Sequence, residues 1–281
     1  MISFSRAILV TGFCFFYSVL LSQNDSVHYA KDSVIELQDC FDLFFQRNEK
    51  ITSPQKIMLV QKNGKTISLK AFLGLGDKEL FPASPPQYGL ADLDQDGKKE
   101  LVTYSYSGGA HCCDEFNIFK NISPGKYQHV AKTFAGDVCI TEKNEFVYNF
   151  YQQFGYFFTC FACEYQDESG RGPQPVQEII LKYNKGKLTA LPGDNKLRAT
   201  INDNLSILGK RPYKKLSDDM DFDDGLRKAV ALNLAVFHYS FGRNLVETKK
   251  LFDKYYRFPD AKKVWDEFLK TMNWIRSGND F

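Results

Sequence analysis

The residues of this chain best suited to chemistry lie between Asp92 and Glu100. In Asp92-Leu93-Asp94-Gln95-Asp96-Gly97-Lys98-Lys99-Glu100, three aspartates occupy alternate positions, a glycine follows and a fourth acid closes the stretch. Calcium takes six to eight oxygen ligands, and alternating carboxylates on a tightly curled loop converge on one ion when a glycine supplies the sharp turn. The expected ligand set is Asp92, Asp94, Asp96, the Lys98 carbonyl and Glu100, with water completing the shell. Without a cation these carboxylates would sit a few ångströms apart and repel. The bland alternative is an acidic surface turn that binds nothing.

An EF-hand requires a bidentate glutamate at the twelfth loop position, which here is Thr103. The residues after the loop also alternate as a strand instead of opening a helix, so the spacing predicts a structural site and not a sensor. The run Leu90-Ala91-Asp92-Leu93-Asp94-Gln95-Asp96-Gly97, followed by Glu100-Leu101-Val102, resembles the calcium loop of FG-GAP and VCBS-type, integrin-alpha-like repeats. The continuation Ser107-Gly108-Gly109-Ala110-His111-Cys112-Cys113 resembles a signature of exported bacterial proteins of this type. The similarity covers residues 88–119. It implies a loop joining two strands of a β-propeller blade, with calcium on the matching aspartates. Because the motif occurs once, FG-GAP-like hairpins are expected and a full propeller is not.

Other reactive residues have more ordinary readings. His111, Cys112, Cys113 and Asp114 include good zinc or copper ligands, and Cys160-Phe161-Ala162-Cys163 forms a C-x-x-C pair. An oxidising compartment converts such thiolates to disulfides. Sequence alone does not choose among the 15 connectivities of six cysteines, and Cys112 and Cys113 either bond to different cysteines or to each other; one expected pairing is Cys160 with Cys163, Cys112 with Cys113 and Cys40 with Cys139. Thioredoxin-like redox chemistry at Cys160 would require a helix opening at the motif, which the sequence does not suggest. The acidic cluster Asp218, Asp219, Asp221, Asp223 and Asp224 precedes a helix, where negative charge interacts favourably with the helix N-terminus. No G-x-S-x-G is present, and His129 and His238 have no context that assigns them catalysis. No catalytic residue is assigned.

The elements that must position the acidic loop follow from periodicity. Residues 1–22 read as a signal peptide: a short segment ending at Arg6, an uncharged stretch from Ala7 to Leu21, and Ser22 before polar residues; an uncleaved N-terminal anchor is the alternative. Removing it takes away Cys14, leaving six cysteines that suit disulfides in an exported chain, and lowers the formal net charge of +2 by one. That balance excludes the basic footprint of a nucleic-acid binder. No later run is apolar enough to span a bilayer, so no transmembrane segment is expected after signal cleavage.

Ser33 to Arg47 has helical spacing. Ile57 to Leu69 reads as a hairpin around Asn63-Gly64, and β-branched and aromatic runs continue to Leu191. The aromatic run from Phe146 to Phe161 is assigned to the core, with an exposed binding face as the alternative. Stripes at Leu226 to Phe241, Leu245 to Arg257 and Ala261 to Ile275 predict three helices, started by caps at Asn244 and Asp260 and closed by Gly242 and Pro259.

The expected fold class is α+β: an antiparallel β-rich calcium-loop domain at residues 23–191 with a short N-terminal helix, a connector at 192–214 and a helical subdomain at 215–281. The expected function is an exported, non-catalytic, calcium-stabilised module, secreted or in the periplasm or cell envelope. It would act in binding an extracellular protein or glycan or in envelope structure. An extracellular hydrolase acting on glycan or peptide is the alternative.

Overall fold

The computed structural model describes residues 44–45, 48–51, 56–61, 63–73, 87–106, 114–134, 137–165, 172–215 and 224–281. It has α+β architecture, with two sheets and a C-terminal helical layer. The stretch expected to be a signal peptide, most of the helix expected at Ser33 to Arg47, Cys40, His111, Cys112, Cys113 and most of the 218–224 acid cluster lie outside the described residues, as do the pairings assigned to Cys40 and to Cys112 with Cys113.

The first sheet contains β1 (Glu49–Lys50), β2 (Met58–Val60), β3 (Thr66–Ser68), β4 (Gln87–Ala91), β5 (Glu100–Tyr106), β6 (Asp114–Ser123) and β7 (Lys126–Phe134), in the order β1-β4-β5-β6-β7-β2-β3. The hairpin expected at Asn63-Gly64 forms. Gly64 adopts φ 78°, and Lys65 N–H donates to Asn63 Oδ1 at 3.0 Å. The sheet is mostly antiparallel, as expected, and β2 alone among these pairings runs parallel, to β7. Leu69 leaves the hairpin to begin the one-turn helix α1 (Leu69–Phe72), capped by the Ser68 hydroxyl.

Successive residues of β5 point to opposite faces, and both faces are covered. Leu101 joins Ile57, Leu59, Leu69, Phe119 and Tyr127 in a small core beneath α1. Val102 faces the other way, into the main core with Phe116, Ile118 and Ala131. The acidic loop therefore connects the edge-proximal strand β4 to a strand that is fixed on both sides.

The second sheet has the order β11-β10-β9-β8, built from β8 (Asp137–Ile140), β9 (Glu145–Asn149), β10 (Glu178–Asn184) and β11 (Lys187–Ala190). The aromatic run does not continue as one strand: β9 ends at Asn149, and α2 (Tyr151–Phe154) follows. Asn149 Oδ1 accepts the Tyr151 N–H at 2.8 Å, which turns the chain into that helix. Phe146, Tyr148, Phe150 and Phe154 are fully buried, whereas Tyr156 is 63% exposed, so the run is chiefly core.

The stretch read as a connector carries a helix, α3 (Asn195–Leu208). Asp194 caps it, accepting the Leu197 N–H at 2.7 Å, and Leu197, Ile201, Leu205 and Leu208 are buried. The three predicted helices follow as α4 (Leu226–Ser240), α5 (Leu245–Tyr255) and α6 (Ala261–Gly278). Gly242 adopts φ 91° and lets the Arg243 N–H reach back to the His238 carbonyl at 2.8 Å, a Schellman closure of α4. Asn244 caps α5 as expected. Asp260 occupies the N-cap position of α6 without capping it, because Arg227 and the Tyr256 hydroxyl take up its carboxylate.

Helix α4 is buried on nearly every face, as expected of a helix at the centre of a packed layer. It touches α2, α3, α5, α6 and β10. The main core draws on both sheets and on α3 to α6 without a break. Among the described residues, no helix is long and apolar enough to cross a membrane.

Candidate metal centre at the β4–β5 loop

The loop folds upon its own first aspartate. Asp92 Oδ1 accepts the Asp96 N–H and Asp92 Oδ2 the Gly97 N–H, both at 3.0 Å. Left-handed backbone at Gln95 (φ 59°) and Gly97 (φ 85°) makes this curl possible; glycine enters that region without the Cβ penalty other residues carry. At the far end, Glu100 is 2% exposed, and its Oε2 accepts the Leu93 N–H at 3.0 Å.

These turns bring one carboxylate oxygen each from Asp92, Asp94 and Glu100 within 4.8 Å of one another. Asp96 lies outside this triad: it is exposed, and its Oδ1 accepts the Lys98 N–H at 2.8 Å. Asp96 thus shapes the turn that presents Lys98.

The second sheet braces the loop through contacts that the sequence does not announce. Lys185 N–H, in the β10–β11 turn, donates to Asp94 Oδ2 at 2.8 Å, and Asn144, in the β8–β9 turn, donates its side-chain amide to the Asp92 carbonyl at 3.1 Å. Lys185 and Gly186 both have positive φ, 49° and 86°. The sequence marks Asn184-Lys185-Gly186 as a turn, but its tie to Asp94 spans 91 residues. Tyr183, fully buried on β10, lies within electrostatic reach of Glu100, Asp94 and Asp96. Nothing in its local sequence distinguishes it from a core tyrosine.

The electrostatics of this site are unbalanced. Burial raises the Glu100 carboxyl to about 7, the Leu93 N–H opposes the rise, and Asp94 and Asp96 add to it. Burial and the same three acids push the Tyr183 phenol above its ordinary value, so it remains neutral. Asp94 Oδ1 and the Tyr183 hydroxyl are buried without a hydrogen-bond partner. An unpaired buried polar group costs roughly 1–3 kcal/mol, and each pair of like charges at this spacing costs on the order of 1–4 kcal/mol.

A hard cation that prefers oxygen would relieve the carboxylate repulsion and occupy Asp94 Oδ1. All the donors here are oxygens, which suits calcium or magnesium and not a thiolate-seeking metal. Asp92, Asp94 and Glu100 are the residues that would hold it.

Elsewhere, Cys160 and Cys163 form a disulfide with a Cα–Cα distance of 5.1 Å, and Cys139 is disulfide-bonded as well. Comparison with protein-family models, with curated proteins and with solved structures finds no match to this chain.

Proposed function

We propose that this chain is an exported, non-catalytic module that calcium stabilises through the β4–β5 loop, acting in binding or in envelope structure. The observation that carries the reading is the convergence of Asp92, Asp94 and Glu100, with Glu100 buried and Asp94 Oδ1 lacking a partner. The strand–loop–strand setting suits the FG-GAP and VCBS-type resemblance, in which such a loop joins two strands. The disulfide at Cys160 and Cys163 suits an oxidising compartment.

The ion's role here is structural. It would tie the β4–β5 loop to Glu100 at the root of β5, and through Asp94 to the β10–β11 turn, so that the two sheets are clamped at one end.

Thermal melting in millimolar calcium and in chelator tests this. Binding to the folded state alone adds about 1.4 kcal/mol at ten times Kd, which moves the midpoint by a few degrees. Asp94→Asn keeps an acceptor for the Lys185 N–H and should remove the shift. Equal melting of the wild-type chain in both conditions would reduce the loop to an acidic turn.

A further inference from the structure

Between the β10–β11 hairpin, α3 and the C-terminal end of α4 lies an open groove of about 850 Å³. Small-molecule sites usually fall between roughly 300 and 1,000 Å³. Lys187, Arg198 and Arg243 line the groove. Asp280 also lines it, and its Oδ2 accepts the Lys132 N–H at 3.0 Å.

The two guanidinium groups rest on aromatic rings. Arg198 lies 4.0 Å from the Phe241 ring centre, and Arg243 lies 5.3 Å from that of Tyr239. Tyr239 is fixed in turn by Phe150 and Phe281, at centroid distances of 5.3 Å each. A guanidinium attracted to a ring by its charge keeps N–H donors for a partner. Among the described residues neither arginine has a carboxylate partner, whereas the buried Arg227 is paired with Asp260. The chain thus pairs its buried Arg227 internally, while two arginines held near aromatic rings line one groove.

We propose that this groove binds a carboxylate-bearing ligand of small-molecule size. Arg198 and Arg243 act as forked donors to its carboxylates, and the aromatic lining packs against its apolar surface. The proposal rests on reading the chain as a binding module and names the ligand class. A planar fork matches a carboxylate through two parallel hydrogen bonds, which a lysine cannot reproduce. One wall of the groove, Gly186 to Ala190, continues from the turn whose Lys185 N–H is held by Asp94. Binding is therefore measured with calcium and with chelator.

Calorimetric titration of the full chain with trigalacturonate and with triglutamate, and with maltotriose as a neutral probe, tests the proposal. At least one carboxylate probe should bind with Kd below about 1 mM, and whichever does so separates a uronate source from an acidic-peptide source. Arg198→Ala and Arg243→Ala should each weaken binding about tenfold, the size of a lost charge-assisted hydrogen bond. Arg243→Lys should still lose severalfold, and Lys196→Ala, which removes a charge from α3 outside the groove, should change little. Absence of binding by both carboxylate probes would overturn the proposal, as would maltotriose binding equally well or Lys196→Ala matching the arginine variants. Arginine-dependent binding by protein that shows no calcium shift would uphold the groove and overturn the calcium reading. A calcium shift without carboxylate binding would do the reverse.

Discussion

Arg227 and Lys228, at the start of α4, and Glu100, at the end of the acidic loop, are all 2% exposed, yet their surroundings treat them differently. Arg227 donates to Asp260 and to the Lys214 carbonyl. The Lys228 ammonium donates to the carbonyls of Gly155, Cys160 and Phe161 at 3.2, 3.3 and 2.8 Å, and lies 4.7 Å from the Tyr151 ring centre. Glu100 faces other acids and receives the backbone N–H of Leu93 and, more weakly, its own. A buried charge costs several kcal/mol unless opposite charge or hydrogen bonds compensate it. The helical end of the molecule supplies that compensation from its own chain; the loop end does not, and the proposed calcium ion would supply it there.

The largest expected effect is at the self-sufficient site. Lys228→Met keeps most of the volume but takes the ammonium from three carbonyls; those of Phe161 and Cys160 keep the Tyr151 hydroxyl and the Cys163 N–H as donors, and that of Gly155 is left exposed to the apolar core. Denaturant titration should show a loss of about 3 kcal/mol, the same in calcium and in chelator. A loss below about 1 kcal/mol would mean that the ammonium cage contributes little.

Glu100→Gln should behave in the opposite way. The amide oxygen can still accept the Leu93 N–H, and removing one charge relieves the repulsion from Asp92 and Asp94. In chelator the variant should be at least as stable as wild type, and the gain of about 1.4 kcal/mol expected from calcium at ten times Kd should disappear. A variant that is destabilised in chelator and still responds to calcium would contradict this account of the loop.

The two ends should also differ in the sign of their pH dependence. Glu100 has its folded value raised from about 4.5 to about 7, so its contribution is fully present at low pH and is lost as pH rises through that window. Calcium-free protein should lose stability from this group between pH 4.5 and 7, and calcium should bind more weakly as protons compete for the same carboxylate. His238, on α4, is lowered from 6.5 to about 4, first by burial and then by Arg243 and Arg276. Its contribution is present above pH 6.5 and is lost as pH falls towards 4. Comparing wild type with His238→Gln and with Glu100→Gln across pH 4–8 in chelator should isolate the two opposed slopes.

A smaller effect is expected at a surface cap. Asn244 Oδ1 accepts the N–H groups of Val246 and Glu247 at 2.9 and 3.2 Å. Asn244→Ala should cost about 1 kcal/mol without altering the calcium response, as denaturant midpoints with and without calcium would show.

Local features were legible in the sequence because local chemistry determines them. Asn63-Gly64 specifies its hairpin turn, and Asn244 and Gly242 specify helix ends whether or not the rest of the chain is known. The alternating aspartates disclose the acidic loop, but spacing cannot say that Asp96 turns back onto Lys98 while Asp94 faces inward. That choice depends on Lys185, which is brought up by the second sheet. The stretch from Pro192 to Pro212 gives little periodic signal, and Asn202, Asp203 and Asn204, set among the four buried apolar positions of α3, lower its helix propensity. Packing against α4 outweighs that local preference. Asp260 shows the reverse case, in which a residue placed to cap α6 is drawn off by a long-range partner, Arg227.

The central claim is that the β4–β5 loop is completed by one calcium ion. Isothermal titration of calcium into chelator-treated chain at pH 6.5 tests it most directly. The account predicts one site per chain with Kd of roughly 0.1–1 mM, proton release as Glu100 ionises, and no binding by Glu100→Gln. Absence of binding by the wild-type chain up to about 10 mM, or equal binding by Glu100→Gln, would contradict it.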